Sequence, residues 1–158
     1  MKFRIGWCRV NVPAANAGAL ANPAAGPYRA GMINYLLVGA GGALGALSRY
    51  QVGRLTFRWF GPEQVWGTFA VNLVGGLLMG LLIGWLAATD RADQQYIRLF
   101  GAVGFLGGFT TFSAFSLEIA NMLERKAILP AFGYAAGSVV LALAAVFLGL
   151  WIMRRAFA

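Results

Sequence analysis

Polar chemistry in this chain is confined to a few side chains embedded in apolar sequence. The densest set lies in Gly101 to Glu118, GAVGFLGGFTTFSAFSLE. Gly107, Gly108, Thr110 and Thr111 sit at its centre, and adjacent glycines and β-branched residues both weaken a helix. Leu99 to Leu117 is 19 residues without a charge, long enough to cross a bilayer. In hydrocarbon, backbone groups freed by such a break must find partners, so it is tolerated only inside protein or beside a polar cavity. A helix broken at mid-membrane offers carbonyls and half-helix ends to an ion or solute. Directly after the break come Phe112 and Phe115 at helical spacing, the hydroxyls of Ser113 and Ser116, and the carboxylate of Glu118.

Two further polar lines run at helical spacing. Thr68 and Asn72 continue through Gly76, Gly80 and Gly84, one residue in every four, along one slowly drifting face. An amide inside a membrane is costly unless it bonds across helices or faces water, so Asn72 reads either as interhelical glue or as a solute ligand. Tyr134 and Ser138 form the second line, beside Gly133-x-x-x-Gly137. Arg49 either snorkels to the interface or supplies a vestibule charge. Histidine is absent and Cys8 is the only cysteine, which excludes a histidine-based catalytic site, a CxxC redox centre and an internal disulfide. No base, nucleophile and metal constellation is present, so the residues describe no enzyme.

The elements that must hold these groups are membrane helices. The chain has 158 residues, 59% hydrophobic and 11% charged, too apolar for a soluble domain. Ile33 to Val52, Val65 to Ala88, Ile97 to Leu123 and Ile128 to Met153 are each expected to span the bilayer, with short connections making neighbours antiparallel. Glycine pairs in the first helix, such as Gly41-x-x-x-Gly45, allow close backbone approach. Gly53 to Gln64 reads as an aqueous connection.

Residues 1–31 contain Pro13, Pro23 and Pro27 and no long apolar run, and are expected to be a disordered tail. Met32 is an alternative start, which leaves 32–158 as the transmembrane domain. The formal charge of +8 is spread over helix ends, an interfacial pattern that gives no reason to expect nucleic acid. From Met32 onward, Arg91, Arg98, Arg154 and Arg155 on one side balance Arg54, Arg58, Arg125 and Lys126 on the other. A chain without positive-inside bias can insert both ways, and two opposed copies would supply an inverted symmetry that one chain lacks.

With these residues in view, Met32 to Arg155 resembles the Fluc fluoride channels, also called CrcB-like proteins. The carrying motifs are GAGGALGALSRY at Gly39 to Tyr50, GTFAVNLVGG at Gly67 to Gly76 and GFLGGFTTFSAFSLE at Gly104 to Glu118. The resemblance implies an all-α membrane protein of four helices, the third broken at mid-membrane, assembled as an antiparallel dual-topology homodimer in the bacterial-type inner membrane. It would export fluoride to lower the cytoplasmic concentration. Asn72 would match the family's pore-lining asparagine, and Phe112 and Phe115 its pore-facing phenylalanines. Thr68, Tyr134 and Ser138 would match further polar positions of the fluoride pathway, joined by Ser113. Gly107 and Thr110 fall where backbone carbonyls would hold a central, structural Na⁺ at the dimer interface. Glu118 and Arg49 would match an acidic position and an entrance arginine. Ala142 departs from the family pattern, because some members continue the polar line there with a hydroxyl.

These roles are physically sensible. Fluoride is small and strongly hydrated, so a selective pore must replace its water with close donors. Amide and hydroxyl groups donate without a fixed charge that would trap the ion. Aromatic edges carry the positive end of the ring quadrupole. By spacing alone two phenylalanines at i, i+3 read as packing, and only the resemblance assigns them to a pore. Two other functions stay in view: a small dual-topology proton-coupled exporter with Glu118 as its titrating carboxylate, and a non-transporting membrane partner built on glycine packing.

Overall fold

In a computed structural model the described residues are 27–61, 65–89 and 93–157. Every described element is helical. The chain divides into Met1–Ile33 and Asn34–Ala158, and all packing below lies within the second unit. Four stretches are long and apolar enough to cross a membrane: Gly31–Phe60, Val65–Ala88, Gln94–Glu124 and Ile128–Ala156. The chain is therefore a multi-pass membrane protein.

Helix α1 is Pro27–Phe60 and helix α2 is Val65–Ala88. Helix α1 exceeds its expected limits at both ends. It begins inside the stretch expected to be a tail, since proline is tolerated in a first turn; the rest of that expectation, residues 1–26, lies outside the described residues. At the other end it continues through Arg54 and Arg58, where an aqueous connection is expected. It stops only at Gly61, whose φ of 80° and whose N–H bond to the Phe57 carbonyl at 3.0 Å make a left-handed cap.

The third span is subdivided. A short helix α3, Gln94–Ile97, leads into a π-helical stretch, Arg98–Leu106, followed by α4, Gly107–Phe109, and α5, Phe112–Glu124. Between α4 and α5, Thr110 (φ −80°, ψ 157°) and Thr111 (φ −149°, ψ 124°) are extended. The interruption thus falls on the β-branched threonines, while Gly107 and Gly108 remain helical. Helix α6 is Ile128–Ala156.

Glycine lets these helices meet backbone to backbone. A Cβ on Gly45 of α1 would collide with the Phe105 carbonyl and lie 2.8 Å from the Phe109 nitrogen, and one on Gly108 would lie 2.5 Å from the Gly42 oxygen. The stripe on α2 is divided between two neighbours: Gly76, Gly80 and Gly84 face Ala142, Val146 and Met153 of α6, whereas Thr68 and Asn72 bond to α5 and the residue before it. The buried core is small, with Val71, Leu106, Phe109, Phe115 and Ala131 among its members, and many large apolar side chains point outward. That pattern suits a lipid surround.

Candidate functional site

The extended pair Thr110–Thr111 removes helical partners from nearby backbone groups. In a continued α-helix the Thr111 N–H would serve the Gly107 carbonyl and the Phe112 N–H the Gly108 carbonyl. Instead the Thr111 N–H donates to Asn72 Oδ1 at 2.8 Å, and Asn72 Nδ2 donates to the Thr111 carbonyl at 3.0 Å. One amide satisfies both backbone groups of one residue, and its second N–H remains to be placed. The Gly108 carbonyl accepts from Arg49 Nε at 3.1 Å. Thr110 Oγ1 turns back to its own helix, donating to the Leu106 carbonyl at 2.9 Å. Thr111 also caps α5, its Oγ1 accepting from the Ala114 N–H at 3.2 Å and lying 3.3 Å from Ser113 Oγ.

One and a half turns into α5, Glu118 joins two other helices. Thr68 Oγ1 of α2 donates to Glu118 Oε1 at 2.5 Å, and Tyr134 OH of α6 donates to Oε2 at 2.6 Å. Each oxygen of the carboxylate thus receives a neutral hydroxyl donor, a charge-assisted arrangement that holds three helices in register. Ser138, one turn beyond Tyr134, is buried at 6% exposure and its Oγ has no hydrogen-bond partner. Phe115 is buried with its ring 5.4 Å from that of Tyr134, and its other neighbour is Phe112 at 5.6 Å. The two phenylalanines differ sharply, because Phe112 is 77% exposed.

Cavities lie on both sides of the clasp. One of about 480 Å³ is lined by Arg49, Arg54, Arg58, Thr68, Thr111 and Glu118, with the Arg54 guanidinium 6.0 Å from the centre of the Tyr50 ring. The other, of about 280 Å³, is lined by Val65, Trp66, Phe69, Met122, Gly133, Tyr134, Gly137 and Ser138. A basic mouth therefore reaches Thr68 and Glu118, and an apolar cavity begins where Tyr134 leaves them.

The structure brings Thr68, Glu118, Tyr134 and Phe115 into one cluster and Asn72 into a second with Thr111. Ser138 stands beside the first, Ser113 beside the second. Thr111, which the sequence places in the break but to which it gives no site role, is a residue of the cluster, and a threonine before a helical run carries the composition of an N-cap. Arg49 bonds to backbone as well as lining the basic mouth.

Known proteins match this chain over nearly all of its membrane part. The family described as CrcB-like protein, camphor resistance (CrcB), matches residues 36–150. The chain belongs to the CrcB family. A protein of Phenylobacterium zucineum named fluoride-specific ion channel FluC is 58% identical over 123 residues, covering 78% of this chain and 97% of that protein. A Caulobacter protein of the same name is 56% identical over 126 residues, 80% of this chain and 98% of its own length. One from Mesorhizobium japonicum is 52% identical over 123 residues, again 78% and 98% of the two chains. In this CrcB chain, the aligned length includes every residue of the two clusters described above.

Proposed function

We propose that this CrcB protein is a fluoride-selective channel, not an enzyme, that lets fluoride leave the cytoplasm across a bacterial inner membrane. The observation that carries the proposal is the convergence of the Thr68 and Tyr134 hydroxyls on an anionic oxygen pair at the junction of two cavities. Neutral O–H donors aimed at a small, hard anionic acceptor are what dehydration of fluoride requires. Glu118 now accepts those hydrogen bonds, and a passing fluoride would accept them in turn, with Ser138 adding a further buried hydroxyl one turn beyond Tyr134. The names of the relatives at 52–58% identity point the same way.

The working unit of this proposal is an antiparallel, dual-topology homodimer. Phe112 at 77% exposure and the exposed Gly107 lie next to the extended threonines, and a Gly107 carbonyl deprived of the Thr111 N–H needs a partner in hydrocarbon. A second, inverted copy would cover this face, place the interruption at mid-membrane and turn Phe112 toward a pore. The Gly107 and Thr110 carbonyls of both copies would then be four hard oxygens, a donor set that fits a structural Na⁺ better than it fits an anion. Among the described residues no group of three His, Cys, Asp or Glu offers a competing metal site.

The test is ion efflux from liposomes containing the purified protein. Fluoride should leave rapidly and chloride should not. Equal rates for both ions would refute selectivity, and fluoride movement that requires an imposed proton gradient would favour a proton-coupled exporter working through Glu118.

A further inference from the structure

Arg49 sits in a place that an entrance charge does not need. Gly41 and Gly45 seat α1 directly on the backbone of residues 100–109, so Arg49, one turn past Gly45, arrives level with the end of α4. Its Nε donates to the Gly108 carbonyl at 3.1 Å. That carbonyl belongs to the negative end of a helix that stops at Phe109, and a guanidinium there both satisfies an orphan acceptor and opposes the end charge. The mouth has two other guanidiniums, those of Arg54 and Arg58, to attract anions.

We propose that Arg49 is a positioning residue for the interruption at Thr110–Thr111: by occupying the Gly108 carbonyl it fixes the direction of the Gly107 and Thr110 carbonyls, and its charge is secondary. With Asn72 holding Thr111 from α2 and Arg49 holding Gly108 from α1, the chain is tied to two helices on either side of Thr110 in sequence. The role belongs to Nε itself. In lysine the atom at that place along the side chain is a methylene, so Arg49→Lys keeps the charge and removes the donor. This proposal rests on the reading above that those carbonyls bind sodium.

The experiment is fluoride efflux from liposomes over a sodium titration, with N-methylglucamine as the replacing cation. In Arg49→Lys the sodium concentration for half-maximal flux should rise about tenfold, the factor expected for loss of one hydrogen bond to a charged group. Maximal flux should return at saturating sodium, which separates positioning from general loss of folded protein. An unchanged sodium requirement in Arg49→Lys overturns the proposal. Should that variant not assemble, Arg49→Ala provides the second test: rescue of flux by ethylguanidinium and not by ethylammonium supports it, and equal rescue or none overturns it. If wild-type flux is itself independent of sodium, the sodium reading fails on its own. Hydrogen exchange of the 107–116 amides then decides, faster exchange in Arg49→Lys supporting the positioning role and equal exchange overturning it.

Discussion

Two seams hold the third span in place, and they are made of opposite materials. Residues 100–109 lie against α1 with glycine at the contacts and backbone touching backbone. Residues 111–118 are held by side chains: the Asn72 amide, the Thr68 and Tyr134 hydroxyls and the Glu118 carboxylate. Where lipid removes the hydrophobic drive between helices, close packing supplies cohesion, and the first seam is the structural one. The second consists of hydrogen bonds, and in the proposed channel an ion would exchange for their partners. The difference teaches that backbone packing and side-chain hydrogen bonding can divide one span between them within a few residues, with Thr110 and Thr111 at the join.

Overpacking the glycine seam should do the greatest damage. Gly45→Ala puts a methyl group against the Phe105 carbonyl and 2.8 Å from the Phe109 nitrogen, both of them backbone atoms with little freedom to move. We expect loss of monodisperse protein on size exclusion, from a cost of about 3 kcal/mol or more. Gly45→Ala protein that elutes and melts like the wild type would break the contrast. The phenylalanine pair comes next. Phe115→Ala should lower thermal stability by about 3 kcal/mol because the ring is buried against Tyr134. Phe112→Ala should leave the chain's own fold nearly unchanged and reduce fluoride flux, since its ring is mostly exposed in one chain. Equal melting shifts for the two would contradict this division.

A smaller structural effect and a larger functional one are expected of Glu118→Gln. The amide nitrogen cannot accept, so one of the Thr68 and Tyr134 hydroxyls loses its partner at a cost of about 1–3 kcal/mol. Fluoride efflux should fall while size-exclusion behaviour is retained, and wild-type flux in this variant would remove the clasp from the pathway. Gly39→Ala sharpens the comparison from the other side. Gly39 precedes Gly41 by two residues on α1 and a Cβ there meets nothing within 4 Å. The change should be neutral or stabilise the helix by up to about 1 kcal/mol, and a melting temperature lowered as in Gly45→Ala would show that glycine content as such, not contact, governs α1.

Much of this was legible along the chain because membrane helices announce themselves by length and hydropathy, and α2, Val65–Ala88, was readable to the residue. The ends of α1 were not. Arg54 and Arg58 look like loop residues when charge is read as exposure, yet both are compatible with a helix that leaves the bilayer and stops at Gly61. The every-fourth stripe on α2 was visible as one face; that its polar half meets α5 and its glycine half meets α6 depends on crossing geometry that periodicity does not encode.

The sequence by itself determined the class of the protein, its four apolar spans and the residue types able to touch an ion, because these follow from local composition and spacing. Which partners those residues take was decided only by the tertiary structure. Gly107 and Gly108 carried the signature of a helix break and are helical, since Gly108 is needed for close approach to Gly42, while the extended conformation passes to Thr110 and Thr111. By spacing Asn72 reads as glue or ligand, and only the fold places its amide on both backbone groups of Thr111, 39 positions along the chain. A hydrogen bond between helices depends on where two backbones cross in space, and no spacing within either helix contains that information.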